Sequence, residues 1–510
     1  MSHKFFGTFL ICGALACSFP TTADETDKIT EFRQANEHQI LDDFRSLLKM
    51  PNVAKNTEDM MVNANWITSY IGKRGFNSEI VTAGGAPYII AEKQVPDAKK
   101  TILIYAHFDG QPVEPENWAS SPFEPTLRDG TIESGGKTVV WPEKNQKFNP
   151  NWRIFARSAG DDKAPIIALM AALDALNAAG IQPSVNIKLI LDGEEEAGSP
   201  SLERILKENS NKLDADLMLF CDGPMHQSRQ RQLVFGVRGA MTVDLTTYGP
   251  IRPLHSGHYG NWAPNPTDRL MALLVSMKDE SGRIIVPNYH DEVIPVTAAE
   301  TAAIAALPNI GETLAEELAL GAVEGGGKRL EELILEPAII VKGFQAGGVG
   351  EQSRNIIMPS AAASLNLRLV KGQTPEGVRK SLINYFVDNG FHIVNADPTP
   401  EILKAHKKVL KVDWRPGAYG AFKSDLNSTE SRNLISILNS MDGKQTLLTP
   451  TMGGSLPIYL FEQELDMPII LLPIANHDNN QHGRNENLRL QNLWDAIDIY
   501  AAVLSDYGKK

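Results

Sequence analysis

Three adjacent carboxylates, Glu194, Glu195 and Glu196, stand in the run Asp192-Gly193-Glu194-Glu195-Glu196-Ala197-Gly198-Ser199. The run follows the alternating apolar residues Val185, Ile187, Leu189 and Leu191, a pattern that reads as a strand. Neighbouring carboxylates repel, and at the end of a buried strand they need a compensating cation. The same run in a loop open to water needs none, so the pattern alone leaves a metal site and a solvated acidic loop both open. Other polar groups also follow apolar segments: His107-Phe108-Asp109 after residues 102–106, Asp222 after 217–221, and Asn476-His477-Asp478 with His482 after 467–474. Asp161-Asp162-Lys163 stands just ahead of a helical pattern at 166–179. Ligands of open α/β sheets bind at the carboxyl ends of the strands. These His and carboxylate groups, distant in sequence, therefore converge on one rim, which favours the metal site. Mixed donors of this kind suit zinc, with manganese or cobalt as alternatives. Two His and several carboxylates are ample for two ions. A carboxylate can bridge such ions at about 3.5–4 Å, and a shared water becomes a nucleophile near neutral pH. Such a site hydrolyses amides and esters, and it needs a base that is not a ligand.

The elements that must hold these groups follow from hydrophobic periodicity. From about residue 24 to 231, strand and helix patterns alternate. The helix at 166–179 carries the apolar stripe Ile166, Leu169, Met170, Leu173 and Leu176, and Gly180 ends it. Strands that are apolar throughout, with helices between them, imply an α/β fold with a mostly parallel sheet flanked by helices on both faces. Residues 232–422 read differently, with strand patterns at 241–248 and 363–370, a helix at 375–388 and a Gly- and Glu-rich middle; they form an inserted α+β domain. The first pattern resumes over 423–510, ending in a helix at 490–507.

Composition sets the outer bounds. A chain of 510 residues, 42% hydrophobic and 22% charged, is long enough for two or more cores. A net charge of −13 argues against nucleic acid as a partner. Residues 1–23 have the layout of a signal peptide: Lys4, an apolar stretch over 5–19, then small and polar residues to Ala23. A periplasmic or secreted location follows, with acylation at Cys17 a weaker alternative. Past that leader only Cys221 remains, so the mature chain forms no internal disulfide. No second apolar stretch reaches transmembrane length.

His107-x-Asp109, Asp161-Asp162-Lys163, Glu195-Glu196, Asp222 and His482 resemble, in order, the motifs of the M20 metallopeptidases. That di-zinc group includes carnosinase-like dipeptidases, aminoacylases, and acetylornithine and succinyl-diaminopimelate deacylases. Gln111-Pro112-Val113, the segment 118–125, Leu254-His255-Ser256-Gly257 and Gly453-Gly454-Ser455-Leu456-Pro457 resemble its carnosinase-like branch. The resemblance implies a zinc-exopeptidase-like fold with a lid and dimerisation domain. It implies that His107 and Asp222 hold one zinc, Glu196 and His482 the other, and that Asp161 bridges them, often with a cis peptide after it. Glu195 is then the general base, and Asp109 orients His107. His255 reaches the site of a partner subunit in a homodimer and helps stabilise the oxyanion. Arg368 grips the substrate carboxylate, and Gly454 and Ser455 line that end of the site. The implied substrates are dipeptides or short peptides, with N-acyl amino acids as the alternative.

Some positions depart from that pattern. Ala156-Arg157-Ser158 replaces Gly-Arg-Gly, and Ala164 replaces a Gly. Thr451-Met452 stands where the branch carries Arg-Glu, which removes charges near the substrate. Residues 129–151 form an extra loop near the rim. Of the remaining groups, Glu194 reads as solvated or a helix-cap partner, and Asp162 as structural and turned away from the metals. Lys163 offsets acidic charge, and Cys221 is packing. His258 and His477 are surface or supporting residues, and 324–332 is a charged surface loop.

Overall fold

The apolar segments become the centre of an eight-stranded sheet in the computed structural model, which describes residues 22–510. Its spatial order is Asn77–Val81, Tyr88–Lys93, Val185–Asp192, Lys100–His107, Leu217–Phe220, Ile469–Leu471, Gln232–Val234 and Leu447–Thr449. From Val185–Asp192 to Ile469–Leu471 all neighbours are parallel. Antiparallel strands extend one side, and an antiparallel contact joins the other side to a parallel end pair. Along Lys100–His107, Ile102, Ile104 and Ala106 enter a core with the helices Ala164–Ala179 and Leu490–Asp506, while Leu103 and Tyr105 enter a second core with Leu202–Leu213 and Ile458–Glu464. Burial on both faces is the reason these strands carry unbroken apolar runs. Each fully buried large aliphatic side chain contributes about 1.5–3 kcal/mol, so the strand ends that carry the polar groups are rigidly placed. Gly180 closes Ala164–Ala179 in the left-handed region, with φ 73°, and its N–H bonds the carbonyls of Leu176 and Asn177.

The inserted domain has its own five-stranded sheet, in the order Ala338–Gln345, Ser360–Leu369, Gly239–Tyr248, Val409–Trp414 and His392–Val394. One face is covered by Pro266–Ser276 and Pro375–Asp388, with Leu270, Leu273, Val378, Leu382 and Phe386 in the core. Residues alternate strictly between buried and half-buried along Ser360–Leu369, which leaves Asn366 and Arg368 on the open face. The expected insert bounds, 232 and 422, lie outside this sheet. Gln232–Val234 pairs with Leu447–Thr449 in the larger sheet, and Phe422–Lys423 pairs with Gly236–Val237. The insert proper therefore runs from about Gly239 to Trp414, and the paired segments outside it form its two-stranded neck.

The expected leader, residues 1–23, lies outside the described residues except for Thr22 and Ala23, which open the helix Thr22–Leu48. Among the described residues no helix is long and apolar enough to cross a membrane. The charged stretch at 324–332 is mostly exposed, but its end enters the short helix Leu330–Ile334, where Arg329 donates to the carbonyls of Ile304, Leu307 and Pro308.

Candidate metal centre

His107 is the last residue of its strand, Glu195 and Glu196 follow Val185–Asp192, and Asp222 follows Leu217–Phe220. Parallel pairing sets His107 beside Asp192. Asp109 then lies two residues past one strand, opposite the turn after the other. Its carboxylate accepts the backbone N–H groups of Glu195 and Glu196, each at 3.0 Å, and lies 3.3 Å from His107 Nδ1. One buried carboxylate thus holds the glutamate turn and faces the imidazole.

Asp161 stands between the two histidines. Its Oδ1 is 2.8 Å from His107 Nε2, and its Oδ2 is 3.2 Å from His482 Nε2. His482 Nε2 is also 3.2 Å from Glu196 Oε2. The peptide between Asp161 and Asp162 is cis. Ligand atoms of Asp161, Glu196 and His482 lie within 4.8 Å of one another, as do those of His107, Asp162 and Asp222. Asp162 is therefore not turned away from the centre as expected. It lies beneath it, with Oδ2 accepting the backbone N–H of His107 at 3.2 Å.

The donor set fits divalent cations. Among the described residues nothing hydrogen-bonds either buried oxygen of Asp222, so the group stays charged there only next to a cation. Burial pushes the Asp222 carboxyl up to about 7 and that of Glu196 up to about 8, with the Asp161 charge adding to both. Burial also opposes the charged form of Asp161, but hydrogen bonds from His107 and His482 hold its carboxyl below the usual range. Hydrogen bonding to Asp161 raises His482 to about 9. Burial pushes Glu195 well up, with Asp222, Asp161 and Glu196 reinforcing it and His107 opposing it. Among the described residues no group donates a hydrogen bond to the Glu195 carboxylate, which leaves it free for chemistry. Gln111, quoted in the sequence only as part of a motif, donates from Nε2 to Glu196 Oε2 at 2.8 Å.

Glu194 differs from its neighbours. It is 2% exposed and not solvated. It accepts from Ser201 N at the start of Leu202–Leu213, as a cap partner would, and also from Ala86 N and the Tyr88 hydroxyl. Lys163 is buried too, donating to the carbonyls of Leu47 and Met50, and burial pushes its ammonium down to about 7. Cys221 is buried.

The residues expected on the substrate side lie across the boundary between the domains. Arg368 Nη1, from the open face of the insert, donates to Ser455 Oγ at 2.9 Å. Gly454 precedes Ser455, and Met452 reaches back from this loop to Gly223, where its methyl lies 3.0 Å from the place a Cβ would take. The loop thus runs from beside Asp222 to the guanidinium. His255 pairs with Ile356 through its backbone, while its exposed ring makes its contacts within its own turn: it lies 4.5 Å from that of His258, and its Nδ1 accepts the N–H of Gly257. His258 and His477 are exposed. The extra loop at 129–151 reaches the rim through Glu133, which accepts from Asn480.

Comparison with known proteins gives one consistent answer. Peptidase family M20/M25/M40 is matched over residues 103–506. The Cys-Gly metallodipeptidase dug1 of Schizosaccharomyces pombe is 26% identical over 431 residues, covering 82% of each chain. The Beta-Ala-His dipeptidase of Mus musculus is 24% identical over 83% of this chain and 80% of its own. The crystal structure of the M20 family metallo-carboxypeptidase Sso-CP2 from Sulfolobus solfataricus superposes with a TM-score of 0.73 at 26% identity, covering 92% of this chain and 99% of that one.

Proposed function

Because the chain belongs to peptidase family M20/M25/M40, we propose that it is a di-zinc dipeptidase, exported to the periplasm or secreted, with Glu195 as its general base. The observation that carries this reading is the division of labour at the rim. Each oxygen of Asp161 faces one histidine, while among the described residues nothing donates to the Glu195 carboxylate. His107 and Asp222 would hold one ion, Glu196 and His482 the other, with Asp161 between them; manganese or cobalt could replace zinc. When bound, such ions activate water and polarise the scissile carbonyl. Glu195 takes the proton of the attacking water and returns it to the leaving amine, so that one water is added across the C–N bond. Asp109 fixes the tautomer and direction of His107 through Nδ1. Arg368, held by Ser455 beside Gly454, receives the carboxylate of the substrate. His255 would act in the site of a second copy, in a homodimer formed through the insert.

The second reading, an N-acyl amino-acid deacylase, is favoured by Met452. It places an apolar methyl beside Gly223, where the branch the sequence resembles carries a charged residue in this loop. The zinc-loaded protein should be assayed on Cys-Gly, β-Ala-His and other dipeptides against N-acetyl and N-succinyl amino acids, with and without chelator. Chelator-sensitive cleavage of free dipeptides is expected. Preference for blocked amines would replace the first reading with the second.

A further inference from the structure

His482 projects from an exposed turn, with its side chain 56% accessible. Packing does not fix it. Asn480, His482 and Asn485 in this turn all have left-handed backbones, with φ of 56°, 62° and 61°. Such a conformation persists only where neighbouring contacts over-determine it. One set of these contacts centres on Glu486, which is fully buried. Its Oε1 accepts the N–H groups of Gly160 and Asp161, both at 3.0 Å. Its Oε2 accepts Arg157 Nη1 at 2.8 Å and Ser158 N at 2.9 Å. Arg157, also buried, uses Nη2 to bond the carbonyl of Gly483, next to His482, at 3.1 Å. Asn485 accepts the N–H of Ala119 at 2.8 Å and ties the far end of the turn.

We infer that Glu486 is a positioning residue chiefly for the metal position formed by Asp161, Glu196 and His482, because Asp161 is the one group of this position shared with the other. A single carboxylate fastens the backbone of Asp161 and, through Arg157, the turn that presents His482. All four groups facing Glu486 are donors, so only an acceptor-only side chain satisfies them. In Glu486→Gln the amide nitrogen meets two donors and the charge opposite Arg157 is lost. His107 and Asp222 receive no bond from this clamp.

The inference rests on the metallopeptidase reading, and the test separates the two. Zinc is titrated calorimetrically into metal-depleted full-length protein, wild type and Glu486→Gln, and kcat and KM are measured across zinc concentrations. The expected result is two binding steps in wild type, with one step weakened about 10- to 100-fold in the variant and the other, which shares only Asp161, clearly less affected. Excess zinc should restore kcat with little change in KM. Arg157→Lys keeps a charge but cannot bond both Glu486 and Gly483, so it should weaken the same step less; it carries the test if Glu486→Gln does not fold. Unchanged titration, equal weakening of both steps, or a kcat that excess zinc does not restore would overturn the positioning role alone. A wild-type protein that takes up no divalent ion would overturn the metal reading itself.

Discussion

Glu195→Gln separates the base from its two acidic neighbours. The backbone N–H of Glu195 bonds Asp109 Oδ1 at 3.0 Å, and the substitution leaves that bond intact. The side-chain carboxylate accepts no hydrogen bond among the described residues, so an amide of the same shape removes no structural contact. It also removes one negative charge from beside Asp222, Asp161 and Glu196, which favours the metal-free fold. Unfolding in urea should therefore show stability equal to or above that of wild type. Catalysis should fall sharply, because a positioned base contributes about 10²- to 10⁴-fold, or about 3–5 kcal/mol of the barrier. Zinc content by atomic absorption, with kcat and kcat/KM on a dipeptide, makes the assay complete. The expected variant is folded, carries wild-type zinc and loses kcat with KM little changed. A kcat within tenfold of wild type would refute the assignment of Glu195 as base. Loss of zinc would show that Glu195 is a ligand, and the division of labour at the rim would be wrong.

Other perturbations read different parts of the molecule. Glu194→Ala leaves Ala86 N, Ser201 N and the Tyr88 hydroxyl without their acceptor; at about 1–3 kcal/mol for each buried donor, stability to urea should fall by about 3 kcal/mol or more, and a loss under about 1 kcal/mol would contradict its structural role. Burial raises the Asp498 carboxyl to about 6, with Arg33 opposing at 3.9 Å and Asp495 adding to the rise. A raised carboxyl makes stability fall as pH rises from about 4 to about 6 and stay level above. Asp498→Asn should abolish that slope and stabilise the protein at pH 7 by at most about 3 kcal/mol, as checked by urea unfolding at several pH values. Arg33 keeps its 2.9 Å pair with Glu37 in this variant. Arg368→Ala should lower kcat/KM by about 1.5–3 kcal/mol, on the order of 10- to 100-fold, for substrates with a free carboxylate; an equal loss on carboxamide-capped substrates would count against carboxylate recognition.

The parts of the site that were legible in the sequence are those set by strand ends. An apolar run of fixed period followed by His, Glu or Asp announces a side chain at the carboxyl rim, and His107, Glu196 and Asp222 each carried that signal. The parts that were not legible depend on backbone groups or on turns shorter than any period. Glu194, Glu195 and Glu196 are equivalent as letters. Only the short 3-10 turn Glu195–Ala197 sends the first inward to three donors and the next two to the rim. Glu486 escaped a role because three of its four partners are main-chain N–H groups, which have no residue signature. Its one side-chain partner, Arg157, lies 329 residues away. The strand partner at the edge of the insert was not legible for a similar reason: Gln232-Leu233-Val234 is too short to show which sheet it joins, and its pairing with Leu447–Thr449 decides that.

Strand register is what turns these scattered letters into one centre. Lys100–His107 and Val185–Asp192 pair in parallel with no shift, so their ends finish level at His107 and Asp192. A slip of one residue would send every side chain of the slipped strand to the opposite face, exchanging Ile104 and Tyr105 between two separate cores. Core packing therefore enforces the register that brings Asp109 opposite the N–H groups of Glu195 and Glu196. The placement of Glu195 relative to His107 is accordingly a property of the hydrophobic layers. Core substitutions that loosen Ile102, Ile104 or Leu189 should weaken catalysis before they unfold the sheet.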